Sequence, residues 1–245
     1  MSAKSVIAGL DKAVDEFSRN NRLINEPLTI GRAHAFVMQH RQNTRQRNSV
    51  LKLRVATNCP VWDVKIGILE ACTEELIADN EFYKGEAHWK VLEDLGIKAG
   101  LTRAKIRNAP TLRSTKMCWL AWEALMSNTH WLRGLVANTC AERANIPGYG
   151  TGLVKKRGWF GSEHAKWKKL FGMSDEDLVF FGYHGEADVV HSEHGWKNVA
   201  KYATELHMED AAIEACRDNL MVWDHYLNGI ADWGDELDRK AGRAT

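Results

Sequence analysis

Apolar residues along most of this chain recur at spacings of three and four, the period of a helix with one buried face. Val6, Leu10, Ala13, Val14 and Phe17 predict a first helix over residues 4–19, ending near Asn20 and Asn21. A second helical stretch begins around Pro27 and continues through FVMQHRQNTRQRNSVLKLRVA, whose basic content predicts a solvent-facing side. Asn58, ahead of Pro60, predicts the start of a long helical segment to about Leu95, closed by Gly96 and Gly100. Thr102 can cap a short helix, and Pro110 opens another long segment through Asn145. Glycines at 148, 150, 152, 158 and 161 predict one loop over 147–162, followed by a short helix over 163–171. Ser174, before three acids, is a good N-cap for a helix to about Tyr202, and a last helix should run from about Met208 to Leu237.

No strand-like alternation, repeat or polar linker interrupts this pattern, so the expectation is an all-α chain forming one domain over 1–245. Only four prolines are present to break helices. Lys and Arg number 33 against 32 Asp and Glu, a balance that gives no field for capturing nucleic acid or an anionic membrane. Five scattered cysteines without a CxxC pair do not form a disulfide framework and suit reduced thiols. The N-terminus has acids within its apolar stretch, and no apolar run is long enough to span a bilayer, so a cytoplasmic location is expected.

Candidate chemistry concentrates in FFGYHGEADVVHSEHGW, residues 180–196. On a helix His184, Asp188 and His191 stand at i, i+4 and i+7, so their directions fall within about 60° of one another. Two imidazoles and a carboxylate converging from one face suit a transition metal such as iron or manganese. A shuffled chain of this composition would show His-x3-acid-x2-His about once in twenty trials, so the spacing carries information. Three ligands from one helix do not complete a buried site, and other helices must contribute. Glu81 and His88 are about 20° apart on one helical face, a spacing that chance supplies about once. Glu123 and His130 repeat it between Trp119, Met126 and Trp131, as ligands, as partners of ligands or as a buried hydrogen-bonded pair. Glu142 is either a further carboxylate ligand or a solvated residue beside Arg143. His194 lies about 80° from His184 around the helix, off the ligand stripe.

HGEADVVH preceded by FFGY resembles the His-x3-Asp-x2-His core of the haem-oxygenase-like diiron oxidases and oxygenases, and Glu81-x6-His88 resembles their upstream Glu-x6-His. The resemblance implies a haem-oxygenase-like bundle of about seven helices. It also implies a six-ligand set: Glu81, His88, Glu142, His184, Asp188 and His191. Two Fe, or an Fe/Mn pair, would be the cofactor and O2 the co-substrate. Three carboxylates against two Fe(II) leave a buried cluster close to neutral, which lowers the cost of burying it. Glu86, Glu123 and Glu186 are candidate acceptors for the second nitrogens of the ligating histidines.

By the same resemblance the reaction is oxidation of a small external substrate: N-oxygenation, C–C cleavage or desaturation. An amino acid, with an aromatic one such as tryptophan first, stands ahead of a fatty acid. Tryptophans at 89, 119, 122, 131 and 196 could wall its pocket, and Arg113, Lys116, Lys155 or Lys156 could meet its carboxylate. An external electron donor and a homodimer are compatible partners. The para-aminobenzoate-forming branch consumes a tyrosine of its own, whereas the first tyrosine here is Tyr83, which excludes an N-terminal one. Metal-independent thiaminase-like or quinone-cofactor-forming relatives remain the alternative, as do a para-aminobenzoate-synthase-like oxidase and a noncatalytic helical interaction protein.

Overall fold

The computed structural model describes residues 2–80 and 83–243, with the backbone alone for 183–191. Twelve α-helices follow in order among the described residues. They are α1 (Ala3–Asn20), α2 (Arg22–Asn25), α3 (Ile30–Arg45), α4 (Lys52–Asn58), α5 (Trp62–Leu76), α6 (His88–Lys98), α7 (Arg103–Arg107), α8 (Arg113–Ser127), α9 (Trp131–Thr139), α10 (Gly152–Phe171), α11 (Val179–Glu205) and α12 (Glu209–Lys240). A π-helical turn, Gln46–Leu51, joins α3 to α4, and 3-10 turns occupy Glu142–Asn145 and Glu176–Leu178. The described residues form no strand, only an isolated antiparallel bridge between Asp79 and Glu86.

The long helix α12 is the spine of the bundle and packs against α1, α3, α8 and α9. Its apolar stripe, including Ala212, Cys216, Trp223, Leu227 and Ile230, is buried at helical spacing. The closest approach is to α3: a Cβ at Gly31 would lie 2.1 Å from the Gly234 carbonyl oxygen, and one at Gly234 would lie 2.5 Å from the Arg32 Cα. Only glycine permits these backbones to touch. On the other side of α3 lies α6, while α11 rests against α1, α9 and α10.

Several expected helices are interrupted. The basic stretch after Pro27 turns Arg45 and Arg54 to solvent as expected, but Arg32, Arg41, Arg47 and Lys52 are buried. Each finds a compensating group, because a buried cation without one would be too costly. Arg32 pairs with Glu26 and Asp235 at 2.6 Å, and Arg41 pairs with the fully buried Glu93 at 2.5 Å. Glu93 also receives Arg103 and Arg107, which ties α3, α6 and α7 to one carboxylate. Arg47 lies against the rings of Trp122 and Trp223 and donates to the Ala137 carbonyl.

The segment expected to run from 58 to 95 breaks between α5 and α6, and the one opened by Pro110 breaks between α8 and α9 at 128–130. The predicted loop over 147–162 is already helical from Gly152. There α10 bends at Gly158, whose φ of 73° brings the chain so close that a Cβ would stand 1.9 Å from the Asn145 carbonyl oxygen. Ser174 caps as expected, its Oγ accepting from the Asp177 N–H at 3.3 Å, although a 3-10 turn precedes α11. All five cysteines are free and buried. Among the described residues no helix is long and apolar enough to cross a membrane.

Candidate metal centre

The break between α5 and α6 builds the centre. After Leu76 the chain turns, and the Asp79 N–H donates to the Glu86 carbonyl at 3.2 Å while the Gly85 N–H donates to the Asp79 carbonyl at 2.8 Å. Lys84 and Gly85 take positive φ of 52° and 85°, which closes the return; for Lys84 this conformation is uncommon. The loop delivers His88 as the first residue of α6, so its ring leaves the helix end facing back towards α5.

His88 is buried, with Nε2 2.9 Å from Asp79 Oδ2 and Nδ1 3.4 Å from Glu75 Oε2. Burial on its own would lower the affinity of this imidazole for a proton. Glu75 first, and then Asp79, outweigh that and carry its pKa up to about 9. Glu74, Asp79 and His88 each bring a ligand atom to within 4.8 Å of the others. Two carboxylates and an imidazole in a largely buried place are a donor set suited to iron or manganese. Tyr83 stands edge-on to the His88 ring at 4.9 Å, and its hydroxyl donates to the Phe180 carbonyl at 3.0 Å. The loop is thereby pinned to α11 one turn before His184.

The second half of the neighbourhood comes from the π-helical turn. Its wide winding releases carbonyls, which Ser49 Oγ recovers by donating to Thr44 and Arg45, both at 2.8 Å. Asn48 donates to Glu75 at 3.3 Å, linking the turn to the residues around His88. Lys52, the first residue of α4, is almost wholly buried and its Nζ lies 3.1 Å from Glu142 Oε1. Burial works against its ammonium, but Glu142 and then Glu75 hold its pKa above the ordinary lysine value. A cleft of about 390 Å³ opens here, lined by Lys52, Glu70, Glu74, Asn138, Glu142 and His194 among others. A larger cavity, about 790 Å³, is lined by Tyr83, Lys84, Lys98, Arg103 and His164 together with several acids.

Of the six expected ligands, His88 and Glu142 lie among the described side chains. Glu81 lies outside the described residues, and only the backbone of His184, Asp188 and His191 is described, on α11. The helical reasoning that placed Glu81 and His88 on one face does not apply, because a turn separates them. Glu123 and His130 are not a buried pair either. The helix ends between them, Glu123 is near Arg54 at 3.8 Å, and His130 is an exposed N-cap of α9 whose Nδ1 accepts from the Leu132 N–H. His194 is exposed, as its angle off the stripe predicted.

Glu86 is exposed and paired with Lys90, so Asp79 and Glu75, rather than Glu86, are the acceptors beside His88. Neither acid was legible as such, since an unbroken helix would have pointed them elsewhere. The dipeptide Lys84-Gly85 was the available sign of a turn. The expected cations Arg113, Lys116, Lys155 and Lys156 are exposed, and the buried cation beside the site is instead Lys52, from within a basic run. Trp122 and Trp196 are core residues, and Trp62 is the one tryptophan lining either described cavity.

The fold is that of a known class. A crystal structure of a domain of unknown function with a heme oxygenase-like fold, from Shewanella denitrificans OS217, is similar with a TM-score of 0.71. The match covers 100% of this chain and 97% of that one at 11% identity. Comparison with curated proteins gives no match. The sequence itself matches the family of iron-containing redox enzymes over residues 34–224, and the chain belongs to that family.

Proposed function

We propose that this protein is an O2-dependent non-haem diiron oxidase acting on a small external substrate, an amino acid in the first instance. The observation that carries the reading is the convergence of Glu74, Asp79 and His88, in a chain of an iron-containing redox family. The loop before His88 is tied through Tyr83 to the helix bearing HGEADVVH. The donors fit iron by their chemistry, being mostly buried, oxygen-rich and including imidazole. His88, Glu142, His184, Asp188 and His191 would hold the metals, with Glu81 by the family's pattern and with Glu74 and Asp79 as the carboxylates brought to His88. Bound iron would supply the electrons and Lewis acidity needed to reduce O2 and oxidise the substrate.

The chain's own residues hold and orient. Asp79 and Glu75, one against each His88 nitrogen, fix the ring. Phe36, Phe180 and Phe181 pack together, and Phe180, tied to the Tyr83 hydroxyl, extends this apolar cluster to the loop and helps to exclude water. The site works within one domain in the cytoplasm, with electrons from an external donor.

Loading the protein anaerobically with Fe(II) and then admitting O2 should give a transient visible absorption. Incubation with an amino-acid panel under O2 should give oxidised product by mass spectrometry. Turnover that survives rigorous removal of iron would favour a metal-independent enzyme and refute the proposal.

A further inference from the structure

Buried Lys52 and half-buried Glu142 make an ion pair at the edge of a cleft, and the metal reading gives Glu142 a second claimant. When Glu142 turns to a metal, Lys52 is left almost wholly buried without the carboxylate that balances it. Glu75 still supports the ammonium through its charge but is not hydrogen-bonded to it. A buried ammonium that loses its hydrogen-bonded partner is unfavourable, so the freed Nζ favours an anion from the cleft. Lys52 is also the one lysine or arginine among the cleft's lining residues.

A second polar group waits in the same cleft. Asn138, on the last turn of α9, is 6% exposed, and its buried Oδ1 receives no hydrogen bond among the described residues. Buried amide oxygens are normally satisfied, and an unmet one lining a cleft marks a place for a donor. At about 390 Å³ the cleft falls within the range of small-molecule pockets.

We propose that Lys52 is the carboxylate receptor of the substrate site, released for that purpose when Glu142 is drawn away, and that Asn138 accepts an N–H from the same ligand. The inference rests on the metal reading for its physiological trigger, and it assigns the substrate class as a small carboxylic acid carrying a hydrogen-bond donor. Binding is ordered: in the metal-free protein Glu142 already occupies the ammonium, so a carboxylate has no receptor.

The test separates the two claims because Glu142 can be neutralised without any metal. Propionate, with propionamide as its neutral counterpart, is titrated by calorimetry and NMR into metal-free wild type, Glu142→Gln and the Glu142→Gln/Lys52→Gln double variant, with helix content checked by circular dichroism. Propionate should bind Glu142→Gln about ten-fold or more tighter than wild type, propionamide should not, and the double variant should lose the gain. L-Alanine should bind Glu142→Gln more tightly than propionate does, and Asn138→Ala in that background should remove the difference. Equal binding of propionate to Glu142→Gln and the double variant overturns the receptor role. Should Glu142→Gln not fold, the same titrations on wild type saturated with Zn(II), with Lys52→Gln as control, replace it with the same expected pattern. Failure of wild type to bind Fe(II) or Zn(II) would sink the metal reading, while the Glu142→Gln result would still stand for or against Lys52.

Discussion

His40 provides a quantitative test of the interior that surrounds the centre. It is buried in the middle of α3, stacked on Phe36 at 4.8 Å and enclosed by Phe180, Trp223 and Tyr226. Burial lowers its pKa to about 4, with Glu75 opposing weakly and Arg47 adding to the decrease. The unfolded chain binds a proton at this residue below about pH 6.5, whereas the folded chain does not until about pH 4. A depressed folded pKa means that the stability is intact above the unfolded value and is lost as the pH falls towards the folded one. Integrating between those values, acidification from about pH 7.5 to about pH 5 should cost roughly 2 kcal/mol at this residue alone. Carboxylates titrate over the same range, so the assay is a difference. Urea unfolding of the metal-free protein and of His40→Gln is followed at both pH values, and the wild type should lose roughly 2 kcal/mol more than the variant. Parallel losses would show that the histidine is not held neutral by its aromatic cage, and the reasoning about this interior would fail.

Other residues give sharper local outcomes. Glu93→Ala leaves Arg41 buried without its carboxylate and should destabilise the fold by about 3 kcal/mol in urea titrations, despite the partial exposure of Arg103 and Arg107. Gly31→Ala forces α3 away from α12 and should cost about 1–3 kcal/mol or more, read as a lowered Tm. Asp79→Asn, which alters the acceptor beside His88, should weaken Fe(II) binding by about 10–100-fold in an anaerobic competition titration.

What the sequence made legible followed from long periodic stripes. The buried positions of α1 are those that its spacing predicted, and α12 extends only a few residues past the expected end. Ser174 and Thr102 announced their helices because a short hydroxyl side chain before a helix has one favourable use. The breaks were less legible. Between α5 and α6 the sequence has no proline, and its one glycine comes late in the turn, so apolar residues on either side suggested continuity. That continuity also misdirected the helical geometry assigned to a pair of expected ligands. It set Glu81 and His88 on one face, whereas the turn brings Asp79 and Glu75 to His88 by a backbone bridge that no periodicity encodes. Lys52 was hidden for a different reason. In a run of basic residues, the one that faces inward is chosen by partners distant in sequence, here Glu142.

The central claim is that α11 grips metal through His184, Asp188 and His191 opposite the carboxylates around His88. It is tested most directly by metal content. Anaerobically reconstituted wild type should retain about two irons per chain after desalting, and His184→Ala and Asp188→Ala should lose most of that iron while keeping the wild-type helical circular dichroism. Unchanged iron in both variants would contradict the account.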